Sequence, residues 1–131
     1  MRRFDIVAIM SALTDCIDAW VANDVGRIVR AVAPECVVIE CDGPVYRGRD
    51  TVGRRARTWF EAGGIVHRWT ITDHIATGDR EAAEWVFECT WEGGRRIFDG
   101  ASVARSADGL IRDPREHQTS APLYDWQGAW R

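Results

Sequence analysis

The sequence predicts an α+β domain in which three helices precede a mainly antiparallel sheet. Three observations carry that expectation. Apolar residues recur at helical spacing through the first half of the chain, and at about residue 65 the period switches to two. Gly78-Asp79, Gly93-Gly94 and Asp108-Gly109 then punctuate the second half as hairpin signals. Helices first and a strand meander afterwards is the pattern of helices packed on one face of a sheet.

Each element has its own warrant. Ile6, Ile9, Met10, Leu13, Cys16, Ile17, Trp20 and Val21 share one helical stripe, with Asp15 and Asp18 off it, which predicts a helix from about 4 to 22. Asp24 is placed to cap a second, short helix carrying Val25, Ile28, Val29 and Val32, which Pro34 closes. Cys36 to Cys41 is β-rich, Asp42-Gly43-Pro44 turns, and Val45 to Arg47 returns as a short strand. Asp50 is expected to cap a third helix through Val52, Ala56, Trp59 and Phe60, ending at Gly63-Gly64. Four long strands follow, at about 66–77, 81–92, 95–106 and 110–119. The tail from Ser120 to Arg131 holds Leu123, Tyr124, Trp126 and Trp130, and is expected to dock on its own or a partner subunit.

Composition narrows the function. The chain of 131 residues reads as a single domain, 1–131, with 46% apolar and 28% charged residues, enough to build a core. Its net charge of −3 argues against a nucleic-acid partner, since phosphate binders carry the opposite excess. All 17 basic residues are Arg, which excludes Schiff-base lysine chemistry, pyridoxal-phosphate attachment and a P-loop lysine. Cys16, Cys36, Cys41 and Cys89 match no zinc or redox spacing and read as buried free thiols of a cytoplasmic protein. His67 and His74 lie seven apart on one strand and so face opposite sides; no metal and no cofactor is expected. Met1-Arg2-Arg3 and the apolar run after it fit an amphipathic helix better than a signal peptide, and no run approaches the length of a membrane span.

The segments Ala19-Trp20-Val21-Ala22-Asn23-Asp24, Tyr46-Arg47-Gly48-Arg49-Asp50, Thr77-Gly78-Asp79 with Glu84-Trp85, and Asp108-Gly109-Leu110-Ile111 followed by Arg115-Glu116-His117 occur in an order that resembles the nuclear-transport-factor-2-like superfamily, in its SnoaL-like and ketosteroid-isomerase-like branches. The resemblance covers nearly all of the chain up to about Thr119. It implies a cone in which a curved sheet wraps the helices around an apolar pocket, and a homodimer through the outer sheet face. It does not name a reaction, because the scaffold hosts isomerases, cyclases, dehydratases, epoxide hydrolases and non-enzymes.

The inner face is read from alternation. Ala83, Trp85, Phe87, Cys89 and Trp91 form the apolar set of the second long strand, leaving Glu84 and Glu88 outside, where they could meet Arg residues across a two-fold axis. Matching sets would bring in His67, Trp69, Ile71, Asp73 and Ile75, then Phe98, Gly100, Ser102 and Ala104, then Pro114, Glu116 and Gln118. For the first match the loop at Gly78-Asp79-Arg80 must hold three residues, for the second Gly93-Gly94 must make a two-residue turn, and for the third the next loop must again have odd length. Polar groups on this wall, His67, Asp73, Ser102, Glu116 and Gln118, either serve a ligand or satisfy one another.

Glu40 ends a segment, Ala33 to Glu40, similar to the stretch that carries the general-base carboxylate of ketosteroid isomerases. Beside an apolar pocket it would titrate high and act as a base; the other reading is an exposed strand-end acid. The oxyanion-hole positions implied by the same resemblance hold Cys16 and Ser102, both weaker donors. The Tyr and His set of scytalone dehydratases and the Asp-Arg-Asp arrangement of limonene epoxide hydrolases find no counterpart. Arg47, Arg49, Arg54, Arg55 and Arg57 read as a solvated helical face.

The reading is a pocket protein for a small, largely apolar ligand, with Trp20, Trp59, Phe60, Trp69, Trp85, Phe87 and Trp91 as walls and Cys16, Glu116 and Gln118 among its polar contacts. As an enzyme it would do cofactor-free acid–base chemistry beside a carbonyl: isomerisation, cyclisation or dehydration. Glu40 would be the base, and Ser102, Asp73 and His67 would polarise or protonate the substrate. The alternative is a non-catalytic ligand-binding or dimerisation module.

Overall fold

The computed structural model describes residues 10–131. Three helices, α1 (Ala12–Val21), α2 (Val25–Ala31) and α3 (Arg49–Glu61), pack on a curved sheet. The strands are β1 (Val37–Ile39), β2 (Val45–Arg47), β3 (Ile65–Thr77), β4 (Arg80–Trp91), β5 (Gly94–Ala107), β6 (Leu110–Ile111) and β7 (Arg115–Gln118). Their order is β2-β1-β7-β5-β4-β3, with β6 on β5, and only the β1–β7 pairing is parallel. Element order therefore follows the sequence expectation closely. The fourth long strand does not: Arg112-Asp113-Pro114 breaks it into β6 and β7, because proline lacks the ladder donor.

Local chemistry sets the helix ends. Ser11 caps α1 through a reciprocal pair with Thr14, while the expected helical residues 4 to 9 lie outside the described ones. Asp24 caps α2 by accepting from the Arg27 amide at 3.1 Å. The expected Asp50 cap is displaced: Gly48 holds the N-cap at φ 85°, where a side chain would be strained, and Asp50 sits in the first helical turn. Burial is shared between layers. Leu13, Ile17 and Ala19 of α1, Ile28 of α2, and Val52 and Ala56 of α3 meet Ala83, Trp85 and Ala104 of the sheet. Glu81, only 7% exposed, ties α1 to the sheet by accepting from the Leu13 amide at 3.2 Å and pairing with His74 Nε2 at 2.8 Å.

Register decides what faces the helices. The β3–β4 turn is the two-residue Gly78-Asp79, with Thr77 opposite Arg80, and not the three-residue loop expected. By itself that turn puts even β3 positions opposite odd β4 positions, and His74 indeed lies opposite Ala83. Two bulges then change the count, between Ile71 and Asp73 and between Val66 and Arg68. Between them Trp69 faces Phe87 and Ile71 faces Trp85, so the odd residues point inward only there. The β4–β5 hairpin turns at Glu92-Gly93, one residue before the expected pair, which keeps the parity and aligns Trp85 with Gly100 and Phe87 with Phe98. On the outer face Glu88 finds its arginines within its own chain, Arg95 at 2.6 Å and Arg68 at 3.4 Å.

In the tail Leu123 is 89% and Trp130 82% exposed on their own domain, and the Trp126 ring contacts Trp130. Among the described residues no helix is long and apolar enough to cross a membrane.

Gly100 is where β7 and Trp85 both come close. A Cβ there would lie 2.1 Å from the His117 carbonyl oxygen and 2.8 Å from Trp85 Cη2. Gly100→Ala is therefore expected to cost about 2–3 kcal/mol of unfolding free energy. Urea denaturation checks it, and an unchanged midpoint would refute the close approach.

Candidate functional site

The concave face of the sheet and helices α1 and α3 border a cavity of about 740 Å³. The alternation of β4 places Trp85, Phe87, Cys89 and Trp91 on its wall, and the stretch of β3 between the bulges adds Trp69. The α1 stripe contributes Leu13, Cys16, Ile17 and Trp20, and α3 contributes Val52, Arg55 and Trp59. The rings brace one another. Trp69 meets Trp85 and Phe87 edge-on at 5.5 and 5.1 Å, and Trp59 stacks on Trp91 at 5.7 Å. Phe60 stands behind this wall, packed on Trp20 at 5.7 Å and on Trp59 at 5.2 Å.

One end of the cavity carries an ion pair. Glu40, just past β1, joins Arg55 through Oε1 and accepts from the Tyr46 hydroxyl through Oε2 at 3.3 Å. The side chains of Glu40 and Arg55 are only 19% and 25% exposed. The Arg55 guanidinium lies over the Trp20 ring at 4.9 Å and the Tyr46 ring at 5.1 Å, so aromatic faces replace part of its water. Burial lowers its pKa to about 10, an effect the nearby charge of Glu116 opposes, and it stays cationic at neutral pH. Glu40 is thus a carboxylate on the cavity wall, not an acid outside the cone.

Glu116, on β7, is a different carboxyl. Burial raises its pKa, while a hydrogen bond from Ser102 and the charge of Arg55 pull the other way. Its Oε2 accepts from Ser102 Oγ at 2.8 Å, and Ser102 in turn accepts from Trp85 Nε1 at 2.9 Å. Facing it from α1, the Cys16 thiol is pushed up to about 12, by burial first and then by Glu116, so it is a neutral thiol and no nucleophile.

Several expected site residues stand elsewhere. Ser102 is fully buried behind Glu116 and does not line the cavity. The bulges carry His67 and Asp73 to exposed positions off the cavity wall; His67 bonds Thr90 at 2.7 Å and Asp73 lies opposite Glu84. Neither can reach a ligand in the cavity. Gln118 sits exposed at the rim, where its Oε1 accepts from the Cys41 thiol at 3.1 Å, and Cys41 is likewise exposed, not buried. Among the described residues no group of His, Cys, Asp and Glu could hold a metal ion.

Two residues that the sequence reading passed over complete the site. Arg55, expected on a solvated face, instead shares one helical stripe with Val52, Ala56 and Trp59, and that spacing is its signal in the sequence. Tyr46 sits opposite Val38 in the β1–β2 hairpin, and both line the cavity. Glu40, Arg55 and Glu116 together form an acid–arginine–acid set drawn from three separate elements.

Comparison with known proteins places this geometry. No curated protein matches the chain. Among solved structures, a protein with a ketosteroid isomerase-like fold from Catenulispora acidiphila, in complex with trimethylamine, aligns at 18% identity over 81% of this chain and 83% of that one, TM-score 0.72. An LEH-like epoxide hydrolase from M. tuberculosis aligns at 18% identity over 82% of this chain and 80% of that one, TM-score 0.74. TerC co-crystallised with polyporic acid aligns at 14% identity over 83% and 89%, TM-score 0.69. These likenesses show a common NTF2-like fold. The SnoaL-like domain model matches residues 13–113, most of the sequence, and the chain therefore belongs to the SnoaL-like domain family.

Proposed function

We propose that this SnoaL-like domain binds a small, largely apolar, oxygen-bearing compound in its aromatic cavity and performs cofactor-free acid–base chemistry on it. One observation carries the reading: Glu40 and Glu116 line the same apolar cavity in opposite settings. Glu40 is ion-paired with Arg55, whereas burial favours the neutral form of Glu116. Two carboxyls in such different settings, one paired with a cation and one pushed towards its neutral form by burial, are the makings of a base and an acid. Glu40 would take a proton next to a carbonyl, and Glu116 would donate to the oxygen on which charge develops. Arg55 holds Glu40 in place through the ion pair. Isomerisation, cyclisation and dehydration all fit these two roles. The small molecules in the complexes of the Catenulispora protein and of TerC support occupancy of such a cavity by a compact ligand. The Glu40–Arg55 pair also suits a second reading, a ligand-binding domain without turnover, because the ion pair already satisfies the base.

A panel of apolar ketones, quinones and epoxides, followed by Trp fluorescence and by product analysis, separates the two. Glu40→Gln and Glu116→Gln keep shape but cannot exchange the proton. Each is expected to lower turnover about 100-fold or more while affinity changes little. Ligands that bind the cavity and are never converted would establish the binding reading.

The protonation of Glu116 also has a stability signature. Its folded pKa lies above the ordinary 4.5, so its contribution is fully present below that value and is lost as pH rises through the folded pKa. Thermal melts are expected to show wild type losing stability relative to Glu116→Gln as pH rises above 4.5. A difference independent of pH would mean that Glu116 titrates as an ordinary surface acid.

A further inference from the structure

Glu116, Ser102 and Trp85 stand in a row on the concave face because β7, β5 and β4 are neighbours. Ser102 lies opposite Glu116, and Trp85 lies opposite Gly100, two residues from Ser102. Since a Cβ on Gly100 would come within 2.8 Å of Trp85 Cη2, the missing side chain is what lets the indole lie close against β5. From there Nε1 reaches Ser102 at 2.9 Å, and Ser102 Oγ reaches Glu116 Oε2 at 2.8 Å.

The direction of this chain follows from its chemistry. An indole N–H only donates, so Ser102 must accept from Trp85. Ser102 is 0% exposed, and Glu116 Oε2 is the one acceptor for its proton among the described residues. If Glu116 carried its proton on Oε2, the serine proton would face another proton and lose its partner, and an unmet buried donor costs about 1–3 kcal/mol. Oε1, in contrast, has no hydrogen-bond partner among the described residues, and Glu116 borders the cavity.

We propose that Trp85 and Ser102 are positioning residues that hold the Glu116 proton on Oε1, the oxygen left to the cavity, and so make Glu116 the directed donor of the site. This rests on the reading of Glu116 as the site acid. Ser102 does not touch the ligand; it fixes which carboxyl oxygen can donate. It also opposes the upward pull of burial on Glu116, because its hydroxyl favours the ionised form.

The wild-type protein provides the first test. With isotope-labelled Glu and Trp, the Glu116 carboxyl and the Trp85 indole N–H are followed by NMR across the folded pH range, with Glu116→Gln and Trp85→Phe as assignment controls. Both signals are expected to move with one midpoint, because Ser102 links them. Ser102→Ala should uncouple the indole and move the Glu116 midpoint upward, and Ser102→Thr, which keeps the hydroxyl, should restore both. A serine that merely fills space would leave the indole indifferent to Glu116. That result, or an unmoved midpoint in Ser102→Ala, overturns the proposal; if Ser102→Ala does not fold, the wild-type titration alone decides. Camphor, a neutral apolar ketone, separates the two layers of the argument. Its affinity should fall about tenfold in Glu116→Ala. If it does not, while carboxyl and indole still titrate together, the assignment of Glu116 as site acid fails and the proton placement stands. If camphor depends on Glu116 and the indole ignores it, the placement fails alone.

Discussion

The cavity wall that the sheet supplies depends on the parity of the β3–β4–β5 ladders. A strand shifted by one residue turns every side chain to the opposite face. Here the two-residue turn at Gly78-Asp79 starts β3 in one phase, and the bulge before Asp73 switches it in time to bring Ile71 and Trp69 inward. The second bulge, at His67, switches it back and buries Val66 against Cys89. Without these two irregularities the polar set of β3 would face the helices, and Trp69 would lose its contacts with Trp85 and Phe87. A bulge also increases local twist, which suits a sheet that must curve around three helices.

Within that wall the arrangement of charge is economical. A buried cation and a buried carboxylate each cost several kcal/mol unless they are partnered. Arg55 is partnered three times over, by Glu40 and by the faces of Trp20 and Tyr46. Among the described residues Glu116 has no comparable direct ion pair, only the more distant influence of Arg55 and the hydroxyl of Ser102, and burial favours its neutral form. The same low-polarity cavity thus pairs one carboxyl with a cation and favours protonation of another. Cys16 shows the rule applied to a thiol, held neutral by burial first and then by the charge of Glu116.

The α1 helix is held in place at a distance from this chemistry. Glu81 bonds the Leu13 amide near the start of α1 and His74 on β3, so a single buried side chain spans helix and two strands. Cys16, Ile17 and Trp20 reach the cavity from the same helix. Anchoring its first turn fixes where those residues stand, which is the kind of support a positioned site needs.

By itself the sequence determined the element order and most element limits, because these follow from local periodicity, caps and turns. The inward face of β4 and β5 belongs with them, because alternation from Ala83 to Trp91 and any two-residue hairpin give the same parity; the register itself does not, since the turn falls at Glu92-Gly93. The inward set of β4 is legible for the same reason, whereas the family resemblance singles out Glu40. Glu116 is expected inward through an odd-length loop, but the turn at Asp108-Gly109 holds two residues, and the break at Arg112-Asp113-Pro114 is what turns Glu116 inward. Only the tertiary structure decided the rest. Neither bulge is marked by glycine or proline, so His67 and Asp73 read as inward until their partners on β4 were known. Arg55 carries the same apolar-stripe spacing as Trp59, but whether a long cationic side chain snorkels to water or turns inward depends on Glu40, Trp20 and Tyr46 being there to receive it. Ser102 and Trp85 differ by 17 in sequence and meet Glu116 only because β5 lies between β4 and β7. Local pattern sets which elements form; contacts between distant elements set which polar groups share a cavity, and no period in the sequence records them.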